Sequence, residues 1–152
     1  MLNINELNKI CKELSLQYNI KVTVKIANLP KDFNGKFNYA SAEILINGDI
    51  ADQELAICTV YHEFRHAWQL KNYPDLFYWW MSHYDIYMDY YDTPVNSMES
   101  DALLFGYSHG KKNRKDLLDF YCVEDLENLF QNNVFELALE HLKYLERQRN
   151  GD

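Results

Sequence analysis

Residues 62–66 read His62-Glu63-Phe64-Arg65-His66. They fall inside an uninterrupted helical pattern that runs from about Asp52 to Asn72, with Asp49 or Asp52 available as a cap and Pro74 as a stop. The pattern His-Glu-x-x-His has a mechanical meaning on a helix. Residues four apart share one face, so both imidazoles reach a single metal ion. Glu63 sits about 100° around the axis from His62. From there it flanks the ion without ligating it and accepts a proton from water. Zinc suits the pattern, because a catalytic zinc keeps three protein ligands and one open position. Val60, Phe64, Ala67 and Trp68 give this helix apolar faces to bury, which a rigid metal site requires.

Two histidines leave a third ligand to be found. A third histidine six residues after His66, with glycine between, is excluded, because those positions hold Asn72 and Gln69. A carboxylate on a later helix is the remaining common solution. The segment Pro94-Val95-Asn96-Ser97-Met98-Glu99-Ser100-Asp101-Ala102 offers two. Glu99 and Asp101 lie about 200° apart on a helix, so both cannot ligate from one turn. Glu99 shares its face with Ala102, Leu103 and Gly106, and the small residues let that helix approach another closely. Asp101 shares its face with Leu104, Phe105 and Ser108, which are bulkier. Glu99 is therefore preferred as the ligand, with Asp101 the alternative. In the preferred arrangement Asp101 is the group expected to hold a ligand histidine by its other nitrogen.

Taken together, His62-Glu63-x-x-His66-Ala67-Trp68-Gln69 and, after a gap, Pro94-x-x-x-x-Glu99-x-Asp101-Ala102 resemble the small gluzincin metallopeptidases. The match is nearest to the ImmA/IrrE-like group common in phages and bacterial mobile elements. The resemblance covers residues 37 to 107. It implies a zincin-like fold, a Zn²⁺ ion held by His62, His66 and Glu99, Glu63 as general base, and a protein or peptide substrate. Peptide hydrolysis also needs a group that steadies the developing oxyanion. Tyr90, Tyr91 and His109 lie near the Glu99 segment in sequence, and Tyr91 is the one named for that role. The resemblance further implies that an edge strand pairs with the extended substrate, and the strand at Tyr39–Asn47 is expected there. A specific host or phage protein is the expected substrate, since a small broad-range protease would endanger its own compartment. The alternative is a catalytically idle gluzincin-fold protein that acts as a protein-binding inhibitor or anti-defence module.

The rest of the chain reads as α+β, one domain across residues 1–152, with a short N-terminal sheet and then a helical bundle containing the motif helix. Residues 4 to 18 carry Ile4, Leu7, Ile10, Cys11, Leu14 and Tyr18 at helical spacing, with Asn3 or Asn5 as cap. Residues 20 to 27 alternate as a half-buried strand. Leu29 to Phe37 contains Pro30, Asn34 and Gly35 and reads as a turn. Tyr39 to Asn47 reads as a second strand. Residues 75 to 91 form an aromatic helix in which Phe77, Trp80, Tyr84, Tyr87 and Tyr91 keep helical spacing and belong to the core. Tyr78 and Trp79 fall off that stripe and are expected at the surface. Thr93-Pro94 opens a helix to about Tyr107, and residues 116 to 147 make two or three more.

Composition narrows the function classes. A net charge of −8 opposes a broad phosphate-binding face, so no nucleic-acid partner is expected. The longest apolar run is Leu76 to Met81, far below the roughly 20 residues of a membrane span. The first residues lack the basic start and apolar block of a signal peptide. Three cysteines at wide spacing read as reduced thiols, hence a cytoplasmic protein. The 23 aromatic residues, 12 of them tyrosine, exceed what one core uses, so some are free to line a groove or meet a partner. Oligomeric state is left open by the sequence.

Overall fold

A computed structural model of the chain describes residues 1–82, 97–109 and 147. Helix α1 spans Ile4–Tyr18. Asn3 caps it by accepting from the Glu6 N–H at 3.3 Å, and Asn19 closes it in the left-handed conformation at φ 53°. Three strands follow: β1 Thr23–Ala27, β2 Gly35–Asn38 and β3 Glu43–Asn47. Helix α2 runs Gln53–Asn72, capped by Asp52, whose carboxylate accepts from the Glu54 N–H at 2.9 Å. Tyr73 ends it and Pro74 opens α3, Pro74–Ser82. Helix α4 is Ser97–His109. The chain is thus α+β, a three-stranded sheet with helices. The expected helical continuation through residues 83–91, and the helices expected in 116–147, lie outside the described residues.

The sheet order is β1-β3-β2, with β3 parallel to β1 and antiparallel to β2. Two strand expectations need correction. First, β2 falls where a turn was expected. It is only four residues long, preceded by Asn34 and ending on Asn38, so it carries too little alternation to register locally. Second, the strand expected at 39–47 begins at Glu43. Residues 39–42 turn the β2–β3 hairpin, where the Asn38 carboxamide accepts from the N–H groups of Ala40 and Ser41. That strand is also central, not an edge. Among the described residues the outer strands are β1 and β2.

One face of the sheet carries Val24, Ile44, Ile46 and Phe37, all buried. Against them pack Leu7, Cys11 and Leu14 of α1 and Ala56, Val60, Phe64 and Ala67 of α2. Burying an apolar side chain of this size contributes about 1.5–3 kcal/mol. Asn47 anchors the loop before β2: its carboxamide donates to the carbonyls of Leu29, Pro30 and Phe33, the last at 2.9 Å. Lys71, near the end of α2, donates to the Tyr18 and Asn19 carbonyls at the end of α1. No described helix is long and apolar enough to cross a membrane.

Candidate metal centre

Helix α2 carries His62, Glu63 and His66, and α4 crosses it carrying Glu99. The crossing is close because of a glycine. A Cβ on Gly106 would stand 2.9 Å from the Cys58 carbonyl oxygen and 3.3 Å from His62 Cβ, so only glycine fits without displacing backbone. Met98 and Ala102 of the same helix are fully buried. This is the small-residue face anticipated for Glu99.

The approach brings one carboxylate between two imidazoles. Glu99 Oε1 lies 3.0 Å from His66 Nε2, and Glu99 Oε2 lies 3.5 Å from His62 Nε2. The donor atoms of His62, His66 and Glu99 all fall within 4.8 Å of one another, and these three form a group able to hold a metal. Two imidazole nitrogens and one carboxylate oxygen match the donor set of catalytic zinc, and the spacing suits donors that share one ion at about 2.0–2.2 Å. By chemistry and by distance, the residues present fit the metal.

Glu63 lies beside this group, with Oε1 3.9 Å from His62 Nε2. It is 7% exposed, pressed beneath β2. A Cβ on Gly35 would come within 3.3 Å of Glu63 Cγ, so the glycine lets the strand lie directly on the carboxylate side chain. Burial pushes the Glu63 carboxyl above the ordinary range. The two histidines and a backbone hydrogen bond from Phe37 oppose that shift, while Glu99 adds to it.

The metal-free electrostatics follow from proximity. Burial works against the charged form of His66, but Glu99, Glu63 and the hydrogen bond to Gln69 outweigh it and raise the imidazole to about 9. Burial also works against ionised Glu99, yet His66 and His62 hold its carboxyl well below the usual carboxylate range.

His66 is braced on two sides. The Trp80 ring stacks on it at 5.0 Å between centroids and 23° between planes. Its Nδ1 lies 2.8 Å from Gln69 Oε1. Gln69 is fully buried, and its amide nitrogen donates to the Met98 carbonyl and to Asp101 Oδ2, each at 2.9 Å. Asp101 does not make the expected contact with a histidine ring. It binds Gln69 and, at 2.7 and 3.2 Å, the Arg65 guanidinium, which also lies over the Trp68 ring at 3.6 Å. The reason is angular: Asp101 faces the next turn of α2, where Gln69 stands between it and His66.

Of the other expected residues, Tyr91 lies outside the described residues, as does Tyr90. His109 sits nearly three turns beyond Glu99 on α4, exposed and stacked on Phe105 at 4.1 Å between centroids. Tyr78 is exposed as expected, whereas Trp79 is half-buried against the core. Sequence reading missed Gln69, Arg65 and Gly35. For Gln69 a signal existed: it stands three residues after His66, on the same helical face. No family model, curated protein or solved structure matches the chain.

Proposed function

We propose that the chain is a zinc-dependent peptidase of gluzincin type with a zincin-like fold. The observation that carries this reading is the convergence of His62, His66 and Glu99, from two helices, with Glu63 alongside. His62, His66 and Glu99 would hold the ion. Zinc bound by three such donors keeps one position open and supplies the Lewis acidity that lowers a water's pKa to about 7.

The chain's own residues supply the rest. Glu63, with its proton affinity raised by burial, accepts a proton at its carboxylate and passes it to the leaving amine nitrogen. Phe37 holds that carboxylate from β2 through its main-chain N–H. The same strand offers the place for an extended peptide. The Asn47 N–H donates to the Asn34 carbonyl at 2.9 Å, so alternate residues of β2 bond to β3. The main-chain groups of Gly35 and the Phe37 carbonyl then face away from β3, along the edge where the Phe37 N–H already meets Glu63. A substrate strand added there would run past the metal donors. The substrate-binding edge is thus proposed as β2, not the strand expected from sequence.

Two measurements test the reading. Purified protein should hold about one zinc per chain, and Glu63→Gln should retain the metal and the fold. The same variant should lose roughly 10²- to 10⁴-fold in peptide cleavage, the usual worth of a positioned base. If the protein's biological effect survives Glu63→Gln undiminished, the peptidase reading fails and the chain acts by binding a partner.

A further inference from the structure

His66 has two ring nitrogens with different tasks. Nε2 faces Glu99 at 3.0 Å and Nδ1 faces Gln69 Oε1 at 2.8 Å. Which nitrogen carries the proton is decided by residues several bonds away. The Met98 carbonyl can only accept a hydrogen bond. The Asp101 carboxylate, gripped by a guanidinium that can only donate, also accepts. Both lie 2.9 Å from the same amide nitrogen of Gln69. Turning that amide over would set its oxygen against two acceptors in a site closed to water, where an unmade bond costs about 1–3 kcal/mol. Gln69 therefore has one orientation, with Oε1 toward His66. An acceptor at that place requires a proton on Nδ1. Without a metal, Nε2 also carries a proton, shared with Glu99 at 3.0 Å. With Nδ1 kept protonated by Gln69, Nε2 is the nitrogen that would give up its proton to a metal and turn its lone pair to the space shared with His62 and Glu99. Trp80, stacked on the ring face, keeps the plane from rotating away.

We propose that Gln69 is a positioning residue that fixes His66 as the Nδ1–H tautomer and so presents Nε2 as a metal ligand, with Asp101 and Arg65 fixing the sense of the Gln69 amide. The inference rests on the reading of His62, His66 and Glu99 as a metal site. Gln69 occupies the place often held by a carboxylate or a backbone carbonyl behind a ligand histidine. A neutral amide there adds no further charge to a centre that already holds Glu63 and Glu99.

Zinc affinity, measured by competition with a chelating dye, and nitrogen-15 NMR of the His66 ring test this. Gln69→Met keeps the side chain's length and removes its hydrogen bonds. It should weaken zinc binding about 10- to 100-fold, the usual worth of such a partner. Gln69→Glu still offers Nδ1 an acceptor, so it should lower the melting temperature yet bind zinc at least tenfold more tightly than Gln69→Met. Val60→Ala, a core change with no part in the network, should destabilise the fold and leave zinc affinity within twofold of wild type. In the zinc-loaded wild type the two-bond proton–nitrogen pattern should show Nδ1 protonated and Nε2 coordinated. The reverse pattern overturns the proposal, whatever the variants do. So does a Gln69→Met protein that binds zinc within twofold of wild type. A wild-type chain that binds no zinc overturns the metal-site reading itself, and this inference with it.

Discussion

His62 and His66 stand one helical turn apart and meet the same carboxylate, yet their surroundings differ in kind. The His66 side chain is 6% exposed, with Trp80 on its face and Gln69, Asp101 and Arg65 in line behind it. The His62 side chain is 18% exposed, and its neighbours are the backbone contact at Gly106 and the carboxylates of Glu63 and Glu99. One side of the centre is braced by polar groups that all have partners. The other is more exposed among the described residues, and the Glu99 side chain on it is 26% exposed. The difference teaches that rigidity is built behind His66, while among the described residues the more exposed donors are His62 and Glu99.

That contrast is breakable, and the largest effect should come from the braced side. Asp101→Ala leaves Arg65 buried without its carboxylate and the Gln69 amide with one acceptor fewer. Such a loss costs about 3–5 kcal/mol, read as a lowered midpoint of urea denaturation. A cost below about 1 kcal/mol would mean the brace is not closed to water.

Next in size is the loss of a ligand from the more exposed side. Glu99→Ala should weaken zinc binding by more than the roughly 100-fold that a partner behind a ligand can cost, and by more than Asp101→Ala does. Dye competition decides the order, and the reverse order would mean that Asp101 is the true third ligand. Smaller again is Gly106→Ala, whose Cβ would meet the Cys58 carbonyl at 2.9 Å. Overpacking of this kind costs about 1–3 kcal/mol, and the thermal midpoint should fall accordingly. It should also weaken zinc binding, since the crossing sets the distance from Glu99 to His62.

The gentlest probe is pH, applied to the metal-free protein. The folded His66 lies above its ordinary 6.5, at about 9. The stability it lends is therefore fully present below pH 6.5 and is lost as pH rises through 9. Glu99 is shifted down from 4.5, so its contribution is present above that value and is lost only as pH falls toward its depressed value. The urea midpoint should decline between pH 6.5 and 9, and Glu99→Gln should flatten the decline. A midpoint that rises with pH across this window would show that the ion pair does not form.

Much of this centre was legible because its signals are local. The caps at Asn3 and Asp52, the helical period of 4–18 and the spacing of His62, Glu63 and His66 each lie within one or two turns of chain. That Glu99 and not Asp101 approaches the two histidines was readable from the small residues Ala102 and Gly106. What stayed hidden depends on pairing at a distance. β2 is four residues long and exists as a strand because β3 pairs with it and α2 lies across it, not because Gly35-Lys36-Phe37-Asn38 favours extension. The central place of β3 follows from that same pairing. The helical face of Asp101 points it toward a histidine, but its position in sequence says nothing of what stands between. Gln69 intervenes only once α2 and α4 have crossed.

Gly106 carries one more consequence, concerning reach. The backbones of α2 and α4 already touch there, so the two helices have no slack left to close. The gap between them is spanned by side-chain length alone. A carboxylate shorter by one methylene at position 99 could not be compensated by drawing the helices together, because nothing compressible lies between them. The centre therefore tolerates error in one direction only: its parts can be pushed apart, but they cannot be brought nearer.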